Sequence, residues 1–177
     1  DYAGKFKNQP EAYRTALYAH MQEKLPAVGK RVCEWDAINH IVGWGTTIRD
    51  LFGSQEIYAD IIRKTRQIAP GIPLWVNEEN IVAGGYRCDE YEADIRYLIE
   101  HGAAPDGIGF MGHFSTGSLT PPEQMLKLFD RYAKLIPALQ FTELDVASGQ
   151  DEQLQADYYR DCLTAAFSHP AFKGVVM

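Results

Sequence analysis

The feature that most constrains the fold of this chain is its regular alternation between short apolar segments and amphipathic helical segments. Short apolar runs bounded by turn residues are typical of strands, and apolar residues at helical spacing are typical of helices. Mostly apolar strands that alternate with helices indicate a parallel sheet covered by helices. The predicted strands cover 31–39, 72–77, 106–113, 139–146 and 173–177, and the predicted helices cover 10–26, 54–70, 89–102, 120–136 and 152–170.

The ends of the predicted strands favour a (β/α)8 barrel, or TIM barrel, over an open doubly wound sheet. Barrel enzymes build their sites from the carboxyl ends of many strands, whereas an open sheet concentrates its site at one switch point. The sequence contains no glycine-rich phosphate loop. Nearly every strand instead ends in polar residues: Asn39-His40, Asn77-Glu78-Glu79, Gly112-His113 and Thr142-Glu143. The predicted fold class is therefore α/β, with about five βα units of a partial (β/α)8 barrel.

Two helix ends carry local signals. Thr120 is predicted to be the N-cap of the helix over 120–136, with Pro121 at the first helical position. Gly102 is predicted to close the helix over 89–102, because glycine readily adopts the left-handed conformation that ends many helices.

Composition argues against several classes of partner. The formal net charge is −7 and the basic residues are scattered, so no basic nucleic-acid stripe or polybasic membrane patch is visible. Cys33, Cys88 and Cys162 form no CxxC pair and no zinc-type cluster with histidine. No apolar run is long enough to span a bilayer. We therefore expect no nucleic-acid partner, no membrane partner and no metal site.

Glu143 is the strongest single catalytic candidate. Its carboxylate stands at the end of an apolar strand between Phe141 and Leu144, where a charge is costly unless it is hydrogen-bonded or used. His113 ends the preceding strand and is placed to hydrogen-bond to Glu143 and hold it ionised. The alternative is that Glu143 pairs with a neighbouring strand for structural reasons.

Five segments resemble, in order and spacing, glycoside hydrolase family 10, the family of the β-1,4-xylanases. FTELDV is similar to the nucleophile strand of that family, EWDAINH to its WDVVNE strand, and DGIGFMGHF to its DGIGxQGH strand. LWVNEEN stands where the family has a strand that ends in Asn-Asp-Tyr. AAFSHPAFKGVVM is like the family's last helix and eighth strand. The likeness extends from about Gln22 to Met177.

The resemblance implies that residues 1–177 are the C-terminal portion of a single glycoside hydrolase barrel domain and carry its strands four to eight. The N-terminal strands and the end of the barrel would then be absent from this chain. The implied activity is hydrolysis of a β-1,4-xylan-type polysaccharide or oligosaccharide, with no metal or organic cofactor. The implied location is secreted or periplasmic, and carbohydrate-binding domains appended in the parent chain would fit this family.

The resemblance also assigns roles to individual residues. Glu143 would be the nucleophile that attacks the anomeric carbon, and His113 would orient it. Asn39 would bind the 2-hydroxyl of the sugar before the cleaved bond, and Asn77 would belong to the polar shell of the site. Trp44, in the loop after strand four, is a candidate for stacking on a sugar, with simple packing as the alternative.

Two positions depart from the family pattern. Met111 stands where the family has a Gln that contacts the nucleophile and the sugar, and Met cannot donate that hydrogen bond. His40 stands directly after Asn39, where the family has the Glu that serves as general acid and base.

The histidine leaves three alternatives open for the proton donor of a retaining glycosidase, which ordinarily uses two carboxyl groups about 5–5.5 Å apart. In the first alternative, His40 itself serves as the acid and base, for which an unperturbed pKa of about 6.5 is suitable. In the second, Glu78 or Glu79, one strand over, has taken the role. In the third, the site binds glycan without cleaving it. Of these outcomes, an active glycosidase is favoured.

Overall fold

The computed structural model describes residues 3–28, 31–42 and 46–177. Its principal feature is a five-stranded parallel sheet in which neighbouring strands follow one another along the chain. Its strands are β1 (Trp35–Asn39), β2 (Leu74–Glu78), β3 (Gly107–Phe110), β5 (Leu139–Phe141) and β7 (Phe172–Val175). A separate parallel pair is formed by β4 (His113–Ser115) and β6 (Asp145–Ala147).

Helices connect the strands of the sheet, as the alternation predicts. They are α1 (Pro10–Val28), α2 (Thr46–Phe52), α3 (Glu56–Ile68), α4 (Cys88–Glu100), α5 (Pro122–Ala133) and α6 (Glu152–Ser168), preceded by a 3-10 turn at Ala3–Phe6. The sequence does not predict α2, which is only seven residues long. None of the helices in the described ranges is both long and apolar enough to cross a bilayer.

One face of the sheet packs against the helices and forms the core. Leu74, Val76, Ile108 and Phe110 are completely buried and share one cluster with apolar residues of α3 to α6. These residues alternate along β2 and β3, so the residues between them point to the opposite face of the sheet. Truncating a buried aromatic such as Phe110 to Ala is expected to cost about 3–5 kcal/mol.

On the opposite face, side chains of β2 pack directly against glycines of β3. A Cβ atom on Gly107 would lie 2.3 Å from the ring of Trp75, and one on Gly109 would lie 2.7 Å from Oδ1 of Asn77. Glycine is required at both positions, because any side chain would displace its neighbour. Trp75 fills the space above Gly107 and is only 4% exposed.

Two predicted strands are each broken in two. Main-sheet pairing ends at Phe110 and Phe141, and pairing resumes at His113 and Asp145 in the separate β4–β6 ladder. The backbone N–H of Asp145 donates to the carbonyl of Gly112 at 3.0 Å, so the segments after β3 and β5 leave the main sheet side by side. The sequence does not reveal the breaks, because apolar residues continue on both sides of them.

Helix α5 begins differently from the prediction. Pro122 is its first residue and Pro121 is the N-cap, so the expectation of Thr120 as N-cap and Pro121 as first helical residue is wrong. The Thr120 hydroxyl instead donates to the carbonyl of Val82, which ties this loop to the loop after β2. Gly102, after α4, has a left-handed φ of 68°, in accord with its predicted role as a helix stop.

Candidate active site

The carboxyl ends of β1, β2 and β5 bring three predicted site residues together. Asn39 and Asn77 are register partners, and Nδ2 of Asn77 donates to Oδ1 of Asn39 at 2.9 Å. The same nitrogen lies 3.5 Å from Oε1 of Glu143. Oδ1 of Asn77 accepts a hydrogen bond from the Thr142 hydroxyl at 2.8 Å. Asn77 is completely buried and links the other three residues.

Thr142 is the member of this group to which the sequence assigns no role. Its hydroxyl donates to Oδ1 of Asn77, while the Asn77 nitrogen faces Asn39 and Glu143. Because a carboxylate only accepts, Glu143 is the partner that sets the orientation of this amide, and the Thr142 hydroxyl adapts to it. The one sequence feature that could have identified Thr142 is its position immediately before Glu143, at the end of a strand.

Glu143 is open to solvent and contacts a histidine on its other oxygen. Oε2 of Glu143 lies 3.3 Å from Nε2 of His113, and the two side chains are 45% and 44% exposed. Nδ1 of the same imidazole is hydrogen-bonded to Oδ2 of Asp145, which lies opposite His113 in the β4–β6 ladder. The imidazole therefore bridges two carboxylates.

The charge state of His113 follows from this bridge. Partial burial alone would lower its pKa, but the hydrogen bonds and negative charges of Asp145 and Glu143 outweigh burial and raise the pKa of His113. A protonated imidazole donates from both nitrogens, so it can hydrogen-bond to both carboxylates at once. An exposed carboxylate held in one orientation is what a nucleophile at this position requires.

His40 lies just beyond the end of β1 in an unusual backbone conformation. Its φ is 56°, in the left-handed region that residues other than glycine rarely adopt. Its backbone N–H donates to the carbonyl of Asn77 at 2.9 Å. Nδ1 of its imidazole lies 3.5 Å from Oε1 of Glu78, and its side chain is 26% exposed. The β1–β2 pairing thus holds His40 at the rim of the site in a strained conformation.

The carboxylate of Glu78 is engaged by the backbone around it. Oε2 accepts from the backbone N–H of Val42 at 2.5 Å, and Oε1 accepts from the backbone N–H of Glu79 at 2.9 Å. Glu78 is only 1% exposed. This burial favours an anchoring role over that of a proton donor to a large substrate. Glu79 is partly buried in the loop that follows β2.

The other two predicted binding residues are less informative. The Met111 side chain is only 2% exposed, and its backbone N–H donates to the carbonyl of Glu78 at 3.0 Å. Contact between Met111 and a sugar stays a prediction. Trp44 lies outside the described residues. In the ranges that the structure covers, no three His, Cys, Asp or Glu side chains are grouped so as to hold a metal ion.

The chain is similar to a known protein family and to several known proteins. The sequence model of glycosyl hydrolase family 10 matches residues 2–177. Endo-1,4-beta-xylanase 5 of Pyricularia oryzae is 26% identical over 172 residues, which cover 92% of this chain and 42% of that protein. Anti-sigma-I factor RsgI6 of Acetivibrio thermocellus is 28% identical over 143 residues, which cover 81% of this chain and 18% of that protein.

A solved structure supports the fold. Penicillium canescens endo-1,4-beta-xylanase XylE aligns with a TM-score of 0.84 at 20% identity, over 95% of this chain and 55% of that one. This likeness confirms the prediction of a partial (β/α)8 barrel. The chain spans less than two thirds of the length of each of these relatives.

Proposed function

The chain belongs to glycosyl hydrolase family 10, and on that premise we propose that it acts in a retaining glycoside hydrolase that cleaves β-1,4-xylan-type polysaccharides. The observation that carries the proposal is the position of Glu143, which is solvent-exposed, held by His113 and adjacent to Asn77. The substrate class rests on relatives such as the Pyricularia protein, whose name is that of a xylanase.

In the first step, an oxygen of Glu143 attacks the anomeric carbon as the bond to the leaving-group oxygen breaks. A proton from His40 goes to that oxygen, which leaves as a hydroxyl, and His40 becomes neutral. In the second step, His40 takes a proton from water as the water oxygen attacks the anomeric carbon and releases the Glu143 carboxylate. His40 thus returns to its charged form, and no metal or organic cofactor is required.

The two asparagines prepare the sugar side of the site. Because Oδ1 of Asn39 accepts from Asn77, the Nδ2 group of Asn39 is directed elsewhere and is available as a donor. A sugar hydroxyl next to the anomeric carbon is the partner that this donor suits. Asn77, which is completely buried, positions Asn39 and Glu143 relative to each other.

The architecture supports the proposal that residues 1–177 are the C-terminal portion of one barrel domain. Strands β1 and β7 are the two edges of the five-stranded sheet, whereas a closed barrel has no edges. Beside β1 lies a cavity of about 440 Å³ with apolar walls that include Met21, Leu25, Ile38 and Ile61. Further strands and helices of the barrel would pair with these edges and cover this cavity. The family also supports a secreted or periplasmic location, and carbohydrate-binding domains appended in the parent chain remain part of the proposal.

The direct test is hydrolysis by the protein within its full-length parent. We expect release of reducing sugar from xylan and release of the aryl group from an aryl β-xyloside. Aryl xylosides have good leaving groups, so their cleavage does not need an efficient proton donor. Absence of both activities in a folded protein would overturn the proposal.

A second function, glycan binding without cleavage, is supported by one departure from the family pattern and by the name of one relative. His40 replaces the family's carboxylic acid, and the Acetivibrio relative is named as an anti-sigma factor rather than as an enzyme. Calorimetry with xylo-oligosaccharides, combined with product analysis, separates the two functions. Binding with no products supports this second function, and binding with turnover supports the first.

A further inference from the structure

The end of β1 contains a buried polar atom that requires a partner. Nδ1 of His40 is shielded from solvent, and within the described residues no hydrogen bond of normal geometry reaches it. The carboxylate beside it is that of Glu78, with Oε1 at 3.5 Å. Buried polar nitrogens are nearly always hydrogen-bonded in folded proteins, so the adjacent Glu78 carboxylate is the partner expected for Nδ1.

We propose that Glu78 is the positioning residue for His40. Its carboxylate holds a proton on Nδ1, which leaves Nε2 as the nitrogen that exchanges a proton with the substrate. This inference rests on the proposed function, since it assigns the atom of His40 that acts in it.

The rigidity of Glu78 supports this assignment. Its two oxygens accept backbone hydrogen bonds from Val42 and Glu79, which lie on either side of it in different loops. A carboxylate that is 1% exposed and fixed at both oxygens cannot turn away from its neighbours. The same contacts tie the loop after β1 to β2, so the position of His40 and the position of Glu78 are set together.

The chemistry of imidazole then determines the tautomer. A neutral histidine has one N–H group and one lone pair, and an ionised carboxylate only accepts hydrogen bonds. The nitrogen that faces Glu78 must therefore be the donor, so neutral His40 carries its proton on Nδ1. When His40 is protonated, both nitrogens are donors, and the proton that leaves for the glycosidic oxygen is the one on Nε2.

Proton balance is preserved over both chemical steps. The Nε2 proton of His40 goes to the leaving oxygen, and the Nδ1 proton stays opposite Glu78. Nε2 then accepts one proton from the attacking water, which restores the charged imidazole. Glu78 neither gains nor loses a proton, so it is distinct from the alternative acid that the sequence suggests at this position.

The test is two-bond ¹H–¹⁵N correlation spectroscopy of the full-length parent protein labelled with ¹⁵N at its histidines, with the His40 signals assigned by their loss in His40→Gln. In the neutral range of the titration, we expect Nδ1 of His40 to be the protonated nitrogen. A neutral His40 with its proton on Nε2 would overturn the inference. This measurement on the unaltered protein requires no substitution at Glu78.

A pair of variants shows whether the tautomer depends on Glu78. Glu78→Gln places an amide with its own N–H groups beside the imidazole, so the Nε2–H form should become populated. Asp94→Asn is the matched control, because Asp94 is also a buried carboxylate, 2% exposed, but contacts Arg49 and Gln55. The control should leave the His40 tautomer unchanged. An unchanged tautomer in a folded Glu78→Gln variant would contradict the positioning role.

The kinetics of Glu78→Gln, taken together with the tautomer of His40, distinguish a failure of this inference from a failure of the proposed function. Glu78→Gln should reduce kcat on xylan by roughly tenfold to a hundredfold, less than the roughly 10²–10⁴-fold worth of general acid–base catalysis. The same variant should change kcat on an aryl xyloside by less than about threefold, because that leaving group needs little protonation. If the protein hydrolyses neither substrate but shows the Nδ1–H tautomer, the proposed function fails and the assignment of Glu78 stands.

Discussion

The two sides of the candidate site use their histidines and carboxylates in opposite ways. On one side, Glu143 is 45% exposed and His113 bridges it to Asp145. On the other side, Glu78 is 1% exposed, and its oxygens hold backbone N–H groups beside His40. The histidine on the first side contacts two carboxylates, and the histidine on the second side lies beside one buried carboxylate.

This difference in exposure is the physical reason for proposing Glu143 as the reacting carboxylate and Glu78 as a supporting one. Glu143 is exposed enough for a bond to an anomeric carbon, and His113 contacts its other oxygen. Glu78 is buried and has no such room, and we propose that it serves as the fixed acceptor for His40. Substitutions on the two sides should therefore have different effects on substrates with good and poor leaving groups.

The largest effect is expected from removing Glu143, the proposed nucleophile. Glu143→Gln should lower kcat on both xylan and an aryl β-xyloside by at least about 10⁴-fold, as is usual when the nucleophile of a covalent mechanism is removed. Glu100→Gln is the matched control, because Glu100 is an exposed carboxylate at the carboxyl end of α4, and it should be neutral. Initial rates on the two substrates check this. Full aryl-xylosidase activity in Glu143→Gln would place the nucleophile elsewhere.

The next effect tests the opposite side of the site. His40→Ala should reduce xylan hydrolysis by roughly 10²–10⁴-fold but change aryl-xyloside hydrolysis by less than about tenfold, because only the poor leaving group needs the proton. Comparison of kcat for the two substrates measures the difference. Equal losses on both substrates would show that His40 supports the structure rather than transfers a proton.

A smaller effect is expected from removing the amide that joins Asn39 to Thr142. Asn77→Ala leaves the Thr142 hydroxyl and the Asn39 amide without their partner. We expect the free energy of unfolding in urea to fall by about 1–3 kcal/mol, the usual cost of unsatisfied buried polar groups. Gln22→Ala, on the exposed face of α1, should change stability by less than about 0.5 kcal/mol. Equal stability in the two variants would show that the Asn77 contacts are not coupled to folding.

The smallest effect is the pH dependence that His113 contributes. Because the pKa of His113 is raised in the folded protein, its stabilising pairs are fully present below the unfolded pKa of about 6.5 and are lost as pH rises through the folded pKa. The difference in free energy of unfolding between the unaltered protein and His113→Gln should therefore be larger near pH 5.5 than near pH 9. Its size should not exceed about 1 kcal/mol, since these side chains are about half exposed. A difference that grows with pH would contradict the bridge between the two carboxylates.

Much of the fold follows from local patterns in the sequence. The alternation of apolar strands and amphipathic helices predicts the five-stranded sheet and the helices that join its strands, because each pattern reflects which face of the element is buried. The short helix α2 and the breaks at Met111 and Thr142 are not predicted. They depend on where the chain leaves the main sheet, and that is decided by contacts between distant segments such as Asp145 with Gly112.

The candidate site is predictable in membership but not in arrangement. Polar residues at strand ends identify Asn39, Asn77 and Glu143, since the ends of parallel strands meet at one edge. The sequence does not show that Glu78 holds backbone groups of two loops or that His40 has a left-handed φ. Both depend on the course of the loop after β1, for which the sequence offers no turn motif specific enough.

The central claim, that Glu143 forms a covalent bond to the sugar, is tested most directly by trapping. A 2-deoxy-2-fluoro xylobioside with a dinitrophenyl leaving group reacts without help from a proton donor, and its fluorine slows the second step so that the glycosyl-enzyme accumulates. Peptide mass spectrometry after incubation should show one adduct, located on Glu143. A protein that binds xylo-oligosaccharides but acquires no adduct, or acquires it on another residue, would contradict the account.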